Sequence, residues 1–350
     1  VSAALDAVGI KKSPGCKCPW RQAWLNWALP IPRPLAAWIK QPTLLARFEH
    51  GFGDAVQFTT VLLHLRHLHP EWAIDVSSKV GAHTLFRGLA RHVYSEDKSA
   101  EGYTDYRWVP WHEPWETYSN SPSTKAEQYL RHAFQIEPIE ELCRYAVCIS
   151  DEVMESASDY LAEMCGRRVA SGQRYPIVLI HYQGNSAKDA KDMSERVARE
   201  LCLVAKRAGF LPFVLEWETK PRSRLSERDG IAINDVKHPF WGGTGTGDGE
   251  KIAAMIQQSA YMIGIDSGPE HVAGATDTPT MIAWHQFHPV NYYGLADNVE
   301  HVIRPGHRRF IFGDHDTGDE YFRRKYRFAE ADKHYRYFLP ALLKERLAAL

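Results

Sequence analysis

Tyr261-Met-Ile-Gly-Ile265 runs directly into Asp266-Ser267-Gly268-Pro269-Glu270-His271, and then into Val272-Ala-Gly-Ala275. A short apolar run followed by a glycine turn and small residues reads as a buried strand passing into a helix, Pro269 to Ala275. Small residues let the helix start lie close to the sheet. Gly268 and the N–H groups after it can hold a diphosphate on the helix N-terminus. Asp266 and His271 bracket that point. The same residues also fit a plainer role, an aspartate capping the helix and a surface histidine.

Around this stretch the same alternation repeats. Upstream, Pro176-Ile-Val-Leu-Ile-His181 is a strand, Ser194 to Ala208 a helix stopped at Gly209, Leu211 to Leu215 a strand and Glu250 to Ser259 a helix. Downstream, Thr280-Met-Ile-Ala-Trp284 is a further strand. Earlier in the chain the pattern has a counterpart. Thr43-Leu-Leu-Ala-Arg-Phe48 is a buried strand, His50-Gly51-Phe-Gly53-Asp54 a glycine loop, and Ala55 to His67 a helix. Ala73 to Val76 is a strand, 81–91 a helix, Val93 and Tyr106–Val109 short strands, and Lys125 to Phe134 a helix. Residues 139–175, with a helix near 151–166, form the crossover. Strands alternating with helices predict an α/β fold with parallel sheets covered on both faces. The expected order is an arm over 1–40, a first Rossmann-like domain over 41–170 and a second over 171–325. A C-terminal helix within 326–350 is expected to pack back on the first domain.

The bulk composition is globular, with 350 residues, 44% apolar and 24% charged. A net charge of −1 gives no reason to expect nucleic acid or an acidic membrane as partner. No apolar run reaches transmembrane length and no secretory signal opens the sequence, so the expectation is a cytoplasmic protein with reduced thiols. Six cysteines are too few for a disulfide framework. Cys16 and Cys18 form a C-x-C pair, short of a zinc set.

In the first glycine loop, Gly51 and Gly53 let the main chain approach a ligand closely. Asp54 sits at the helix start. A carboxylate there can cap the helix, or it can accept a proton from an attacking hydroxyl. Trp108, Trp111, His112 and Trp115 lie between Tyr103 and Tyr118. They can form an aromatic ledge for a sugar or simply pack a long loop.

Taken together, these motifs resemble glycosyltransferase family 9, the ADP-heptose heptosyltransferases. Asp266, Ser267, Gly268 and His271 match the family's D-[S/T]-G-x-x-H motif, and Thr278-Pro279 matches its next strand start. Asp54 falls on the family's G-D motif, where the aspartate is the proposed base. His181-Tyr-Gln-Gly-Asn-Ser186 resembles the loop after the family's first donor-domain strand. Lys191 falls on its phosphate-contacting lysine, with Lys188 as a competing candidate. Met193 and Ser194 stand where the family has Trp-Pro. His285-Gln-Phe-His288-Pro289 departs from the expected G-P-T-x-P, and Glu216 and Glu218 only approximate the acidic residue near the adenosine.

The resemblance covers roughly residues 43–290. It implies the two-domain glycosyltransferase B architecture, with two Rossmann-like domains facing across a cleft, the donor on the second and the acceptor on the first. The implied reaction is inverting transfer of a heptose-like sugar from a nucleoside diphosphate, ADP-heptose, to a hydroxyl of a glycan, protein or small molecule. Asp54 acts as base. Gly51, Gly53, Ser186, Lys191, Asp266, Ser267, Gly268 and His271 bind the donor, and Trp108, Trp111 and His112 line the acceptor side. No cofactor and no metal are expected. Asp314-His-Asp316 and Asp319-Glu320 read as a solvated acidic loop, and Gly242 to Gly247 as a flexible lip of the cleft. A non-catalytic nucleotide-sugar or glycan-binding relative, or a sugar-nucleotide epimerase, would fit the same motifs.

Overall fold

In a computed structural model, the structure describes residues 41–109, 124–184, 191–216, 225, 230–235, 237–242, 247–285, 289, 296–303, 327–330 and 335–350. All but Gln41 belong to the compact unit Pro42–Leu350. The first half builds a four-stranded sheet from β1 (Thr43–Phe48), β2 (Ala73–Ser78), β3 (His92–Tyr94) and β4 (Asp105–Trp108), in the order β3-β2-β1-β4. Every pairing in it is parallel. Helix α1 (Phe52–Leu68) follows β1, and α2 (Lys125–His132) and α3 (Asp151–Cys165) follow the sheet.

The second half holds a seven-stranded parallel sheet. Its strands are β5 (Tyr175–His181), β6 (Leu211–Val214), β7 (Ala232–Ile233), β8 (Ser259–Ile265), β9 (Thr280–Ala283), β10 (Val299–Ile303) and β11 (Arg327–Glu330). Their order is β11-β10-β9-β8-β5-β6-β7. Helices α4 (Glu195–Arg207), α5 (Gly249–Gln258), α6 (Gly268–Ala273) and α7 (Tyr335–Leu347) complete it. This is the expected α/β class.

The sequence shows why these elements cover both faces. Ile177 to His181 of β5 is buried without interruption, as a strand with helices on each side must be. Helix α1 is buried continuously from Ala55 to Leu62 and has no solvent stripe there, because it packs on α2 and α6 as well as on its own sheet. Helix α4 is the opposite case. Its buried Val197, Ala198, Leu201, Cys202 and Ala205 form one stripe, the spacing of a helix with one wet face.

Three expectations need correcting. The helix expected over 81–91 is a single 3-10 turn, Ala82–Phe86, cut off by positive-φ glycines at 81 and 88. Strands β7, β10 and β11 were not foreseen. In β10 the polar Glu300 and His301 are buried, with Arg346 donating to Glu300 and Trp284 donating to Nδ1 of His301, so no apolar run marks the strand. Strand β11 pairs at the sheet edge, Arg327–Glu330 against Glu300–Ile303. The last helix does not return to the first half. Leu339, Leu342, Leu343 and Leu347 of α7 pack with Val197 and Leu201 of α4, and Tyr335 hydrogen-bonds the carbonyls of Trp284 and Val302. Its apolar stripe joins that of α4 in one cluster with Val178, Ile180 and Val214 of the sheet.

The two halves share one apolar core, in which Leu44 and Phe58 of the first join Ile177, Met255 and Trp284 of the second. A polar interlock lies beside it. The buried Glu250 carboxylate in α5 accepts from Arg87 at 2.8 Å, and from the backbone N–H and hydroxyl of Ser150 at 2.9 and 2.7 Å. Its backbone N–H donates to Thr84. No helix among the described residues is long and apolar enough to cross a membrane.

Candidate active site

Both glycine loops sit at the carboxyl ends of central strands, β1 and β8, where open α/β sheets place ligands. They touch. A Cβ added to Gly53 would fall 2.6 Å from Cδ2 of His271, and one added to Gly268 would fall 2.6 Å from Cδ1 of Phe52. Glycine at both positions is therefore a condition of the two loops meeting.

Around this contact runs a chain of charge. Asp54, in the first turn of α1, receives the Lys125 ammonium at 3.0 Å on Oδ1. Lys125 comes from the start of α2 and is almost completely buried. His271 Nε2 lies 3.4 Å from Asp266 Oδ1, and Lys191 Nζ lies 2.7 Å from Asp266 Oδ2. Burial pushes the Asp54 carboxyl up, but the Lys125 ammonium, with His271 and His50 farther off, outweighs it and holds Asp54 below the ordinary carboxylate range. Burial likewise opposes ionisation of Asp266, and Lys191 and His271 overcome it. For Lys125 burial wins and lowers its pKa, with a contribution from the like charge of Lys191.

Beneath the second loop, His181 Nδ1 and Glu270 Oε1 are 2.8 Å apart, and both side chains are fully buried. Burial raises the Glu270 carboxyl above its usual range, with His181 pulling the other way. A Cβ at Gly264 would overlap the Glu270 carboxylate, so glycine in β8 is what admits the pair. His181 ends β5 and Glu270 lies in α6, so the pair ties the two strand-end loops of the second half together.

These shifts carry a sign for stability. Asp54, Asp75, Glu250 and Asp266 all have folded pKa values below their unfolded ones. Each stabilises the fold above its unfolded value, near about 4, and loses that contribution as pH falls through the folded value. Glu270 has the opposite sign. The expected result is a Tm that falls from about pH 5 to about pH 3. A flat thermal-melting profile over that range contradicts it.

The structure thus brings together Asp54, Gly51, Gly53, Lys191, Asp266, Ser267, Gly268 and His271. Gly51 is the N-cap of α1, and Ser267 the N-cap of α6, with its hydroxyl 3.2 Å from where a Gly184 side chain would begin. Asp54 does more than complement the helix end: its side chain is engaged by Lys125. His271 is buried, not a surface residue. Helix α6 is only six residues long, which shifts the burden of any anion binding from its dipole towards Lys191. Trp108 ends strand β4 at 57% exposure. The neighbouring Val109 carbonyl is 2.8 Å from His50 of the glycine loop. His285 stacks edge-on against Tyr335, and the backbone of Glu216 is held by Asn234. Trp111, His112, Trp115, Ser186, Lys188, Glu218, His288, Asp314, Asp316, Asp319, Glu320, Cys16, Cys18 and the lip residues 243–246 lie outside the described residues.

Sequence reasoning missed Lys125, His50 and the His181–Glu270 pair. Only the strand-end position of His181 hinted at a role. Among the described residues no group of three or more His, Cys, Asp or Glu is placed to hold a metal ion.

No protein-family model matches the sequence, and no curated protein sequence matches it. Solved structures do. A glycosyltransferase family 9 protein from Veillonella parvula superposes with a TM-score of 0.58 over 89% of this chain and 98% of that one, at 12% identity. Escherichia coli heptosyltransferase WaaC with ADP gives 0.52 over 81% and 99%, at 12% identity. The iron-containing dodecameric glycosyltransferase TibC from enterotoxigenic E. coli gives 0.51 over 74% and 62%, at 13% identity. The chain therefore has the fold seen in solved structures of a family 9 glycosyltransferase and of heptosyltransferases.

Proposed function

We propose that the protein is an inverting glycosyltransferase that takes a sugar from a nucleoside-diphosphate donor, with ADP-heptose as the first candidate. The observation that carries this reading is the Gly53–His271 contact. It sets an ionised aspartate from one half against a Lys-Asp-His cluster from the other. The similarity in fold to WaaC with ADP supports the donor class.

In this reading an acceptor hydroxyl approaches Asp54. Its oxygen forms a bond to the anomeric carbon as its proton passes to the carboxylate. The bond from that carbon to the diphosphate breaks, and its electron pair leaves with the nucleoside diphosphate. Lys191, exchanging Asp266 for phosphate oxygens, and the main chain at Ser267 and Gly268 offset the charge that develops. Trp108 stands on the acceptor side.

ADP binding tests the donor half. A charge-assisted hydrogen bond contributes about 1.5–3 kcal/mol, so Lys191→Ala is expected to weaken ADP binding by about 10- to 100-fold in calorimetry. Unchanged affinity removes Lys191 from the diphosphate. With ammonium and main-chain groups balancing the leaving group, transfer is also expected to persist in excess EDTA. Activity lost to chelator and restored by magnesium or manganese reverses that account.

A further inference from the structure

Lys125 stands where neither helix geometry nor burial favours a lysine. It is the first residue of α2, at the positive end of the helix, where a cation meets the dipole unfavourably. Its side chain is only 4% exposed, and an ammonium taken out of water must be compensated. It does not serve the helix, whose start is already closed by the reciprocal capping box of Thr124 and Glu127. Its ammonium reaches Asp54 Oδ1.

The other carboxylate oxygen has its own environment. A Cβ added at Gly51 would meet Asp54 Oδ2 at 3.1 Å. Gly51 has φ −63° and ψ 161°, a conformation open to any residue, at an N-cap position that favours Ser, Thr, Asp or Asn. Its lack of a side chain is therefore not a backbone requirement, and it leaves space beside Oδ2.

We propose that Lys125 is a positioning residue for glycosyl transfer: it holds Oδ1 so that Oδ2 meets the acceptor hydroxyl through the space at Gly51, and its charge is uncovered as Asp54 takes the proton. This rests on the reading of Asp54 as the base. Before transfer, Lys125 and Asp54 form a neutral pair. Once the proton has moved, the carboxyl is neutral and the ammonium is unbalanced, just as negative charge builds on the departing diphosphate. The uncovered ammonium is a cation supplied by the first half, 3.0 Å from the carboxylate oxygen it holds. The groups that act on Asp54 are Lys125 from α2, His50 from the loop after β1 and His271 from α6; Lys191 acts on Lys125, and Asp266 holds Lys191 and His271.

The experiment uses the whole chain with ADP-heptose as donor and compares Lys125→Met, Lys125→Arg, Gly51→Ala and Asp54→Asn. Turnover is followed against pH, and the Asp54 carboxyl is titrated by 13C NMR. Lys125→Met is expected to lower kcat on the order of 10²-fold with donor KM unchanged, as for a misplaced reacting group. It should also move both the acid limb of turnover and the Asp54 titration to higher pH, with Lys125→Arg restoring much of each. Gly51→Ala, whose backbone needs no change, should lower kcat without shifting the titration. Wild-type kcat and an unmoved acid limb in folded Lys125→Met overturn the inference. If that variant does not fold, wild-type kcat in Gly51→Ala overturns it. Either result beside a slow Asp54→Asn leaves the proposed function standing, whereas a wild-type rate in Asp54→Asn removes the reading of Asp54 itself.

Discussion

Asp54→Asn is expected to lower turnover of ADP-heptose by about 10²–10⁴-fold, the range a general base contributes, while ADP affinity stays within a few-fold of wild type. The substitution keeps the size of the side chain and removes its capacity to accept a proton. Because Lys125 holds the carboxyl below its ordinary range, the wild-type group is fully ionised at neutral pH and needs no activation before an acceptor arrives. The amide in its place is neutral, so the buried Lys125 loses its counter-charge, and some loss of Tm accompanies the loss of rate. The two effects are separable, since a Tm change alone with wild-type turnover would make Asp54 a structural counter-ion and no more. Steady-state kinetics and ADP calorimetry on one preparation decide between them.

The largest expected effect on stability lies one layer deeper. His181→Ala removes the partner of a fully buried carboxylate. Breaking a buried pair by removing one partner costs about 3–5 kcal/mol. Glu270 then takes up a proton, and its already raised titration moves further up. Denaturant unfolding should show the loss near neutral pH, and it should shrink in acid, where a protonated Glu270 needs no counter-charge. A loss below about 1 kcal/mol would mean that the pair is compensated from elsewhere. Since His181 and Glu270 tie the two loops of the second half, ADP affinity should fall as well.

Most of the first sheet and the centre of the second are legible in the sequence because their strands are short apolar runs closed by glycine and polar turns. Thr43–Phe48, Tyr175–His181 and Ser259–Ile265 carry the signal of strands covered on both faces. The outer strands of the second sheet do not. Val299–Ile303 includes two polar residues whose partners, Arg346 and Trp284, lie elsewhere in the chain, and Arg327–Glu330 begins and ends on a charge. Nothing local announces either.

The site divides in the same way. Asp54, Asp266 and His271 are readable because each sits in a glycine loop at a strand end, where chain geometry alone gives a reason to look. Lys125 is not, since a lysine in a polar helix start reads as solvated, and only the folded chain brings it under Asp54. Helix α7 was misplaced for a related reason. Its leucines specify an apolar stripe but not which other stripe receives it.

That last helix has a consequence for the order in which the chain becomes a protein. Synthesis proceeds from the N-terminus, and the first sheet is complete once Trp108 has cleared the ribosome. The second sheet is not in the same position. The apolar stripe of α4 is finished at Ala205, but the leucines that complete its cover belong to Tyr335–Leu347 and are made much later. Until they emerge, only the part of that stripe that lies on β5 and β6 is covered, and the part that receives α7 remains open to water and to other nascent chains. The second half therefore completes its native packing only after translation reaches α7, and the interval before that is when chaperones have something to hold.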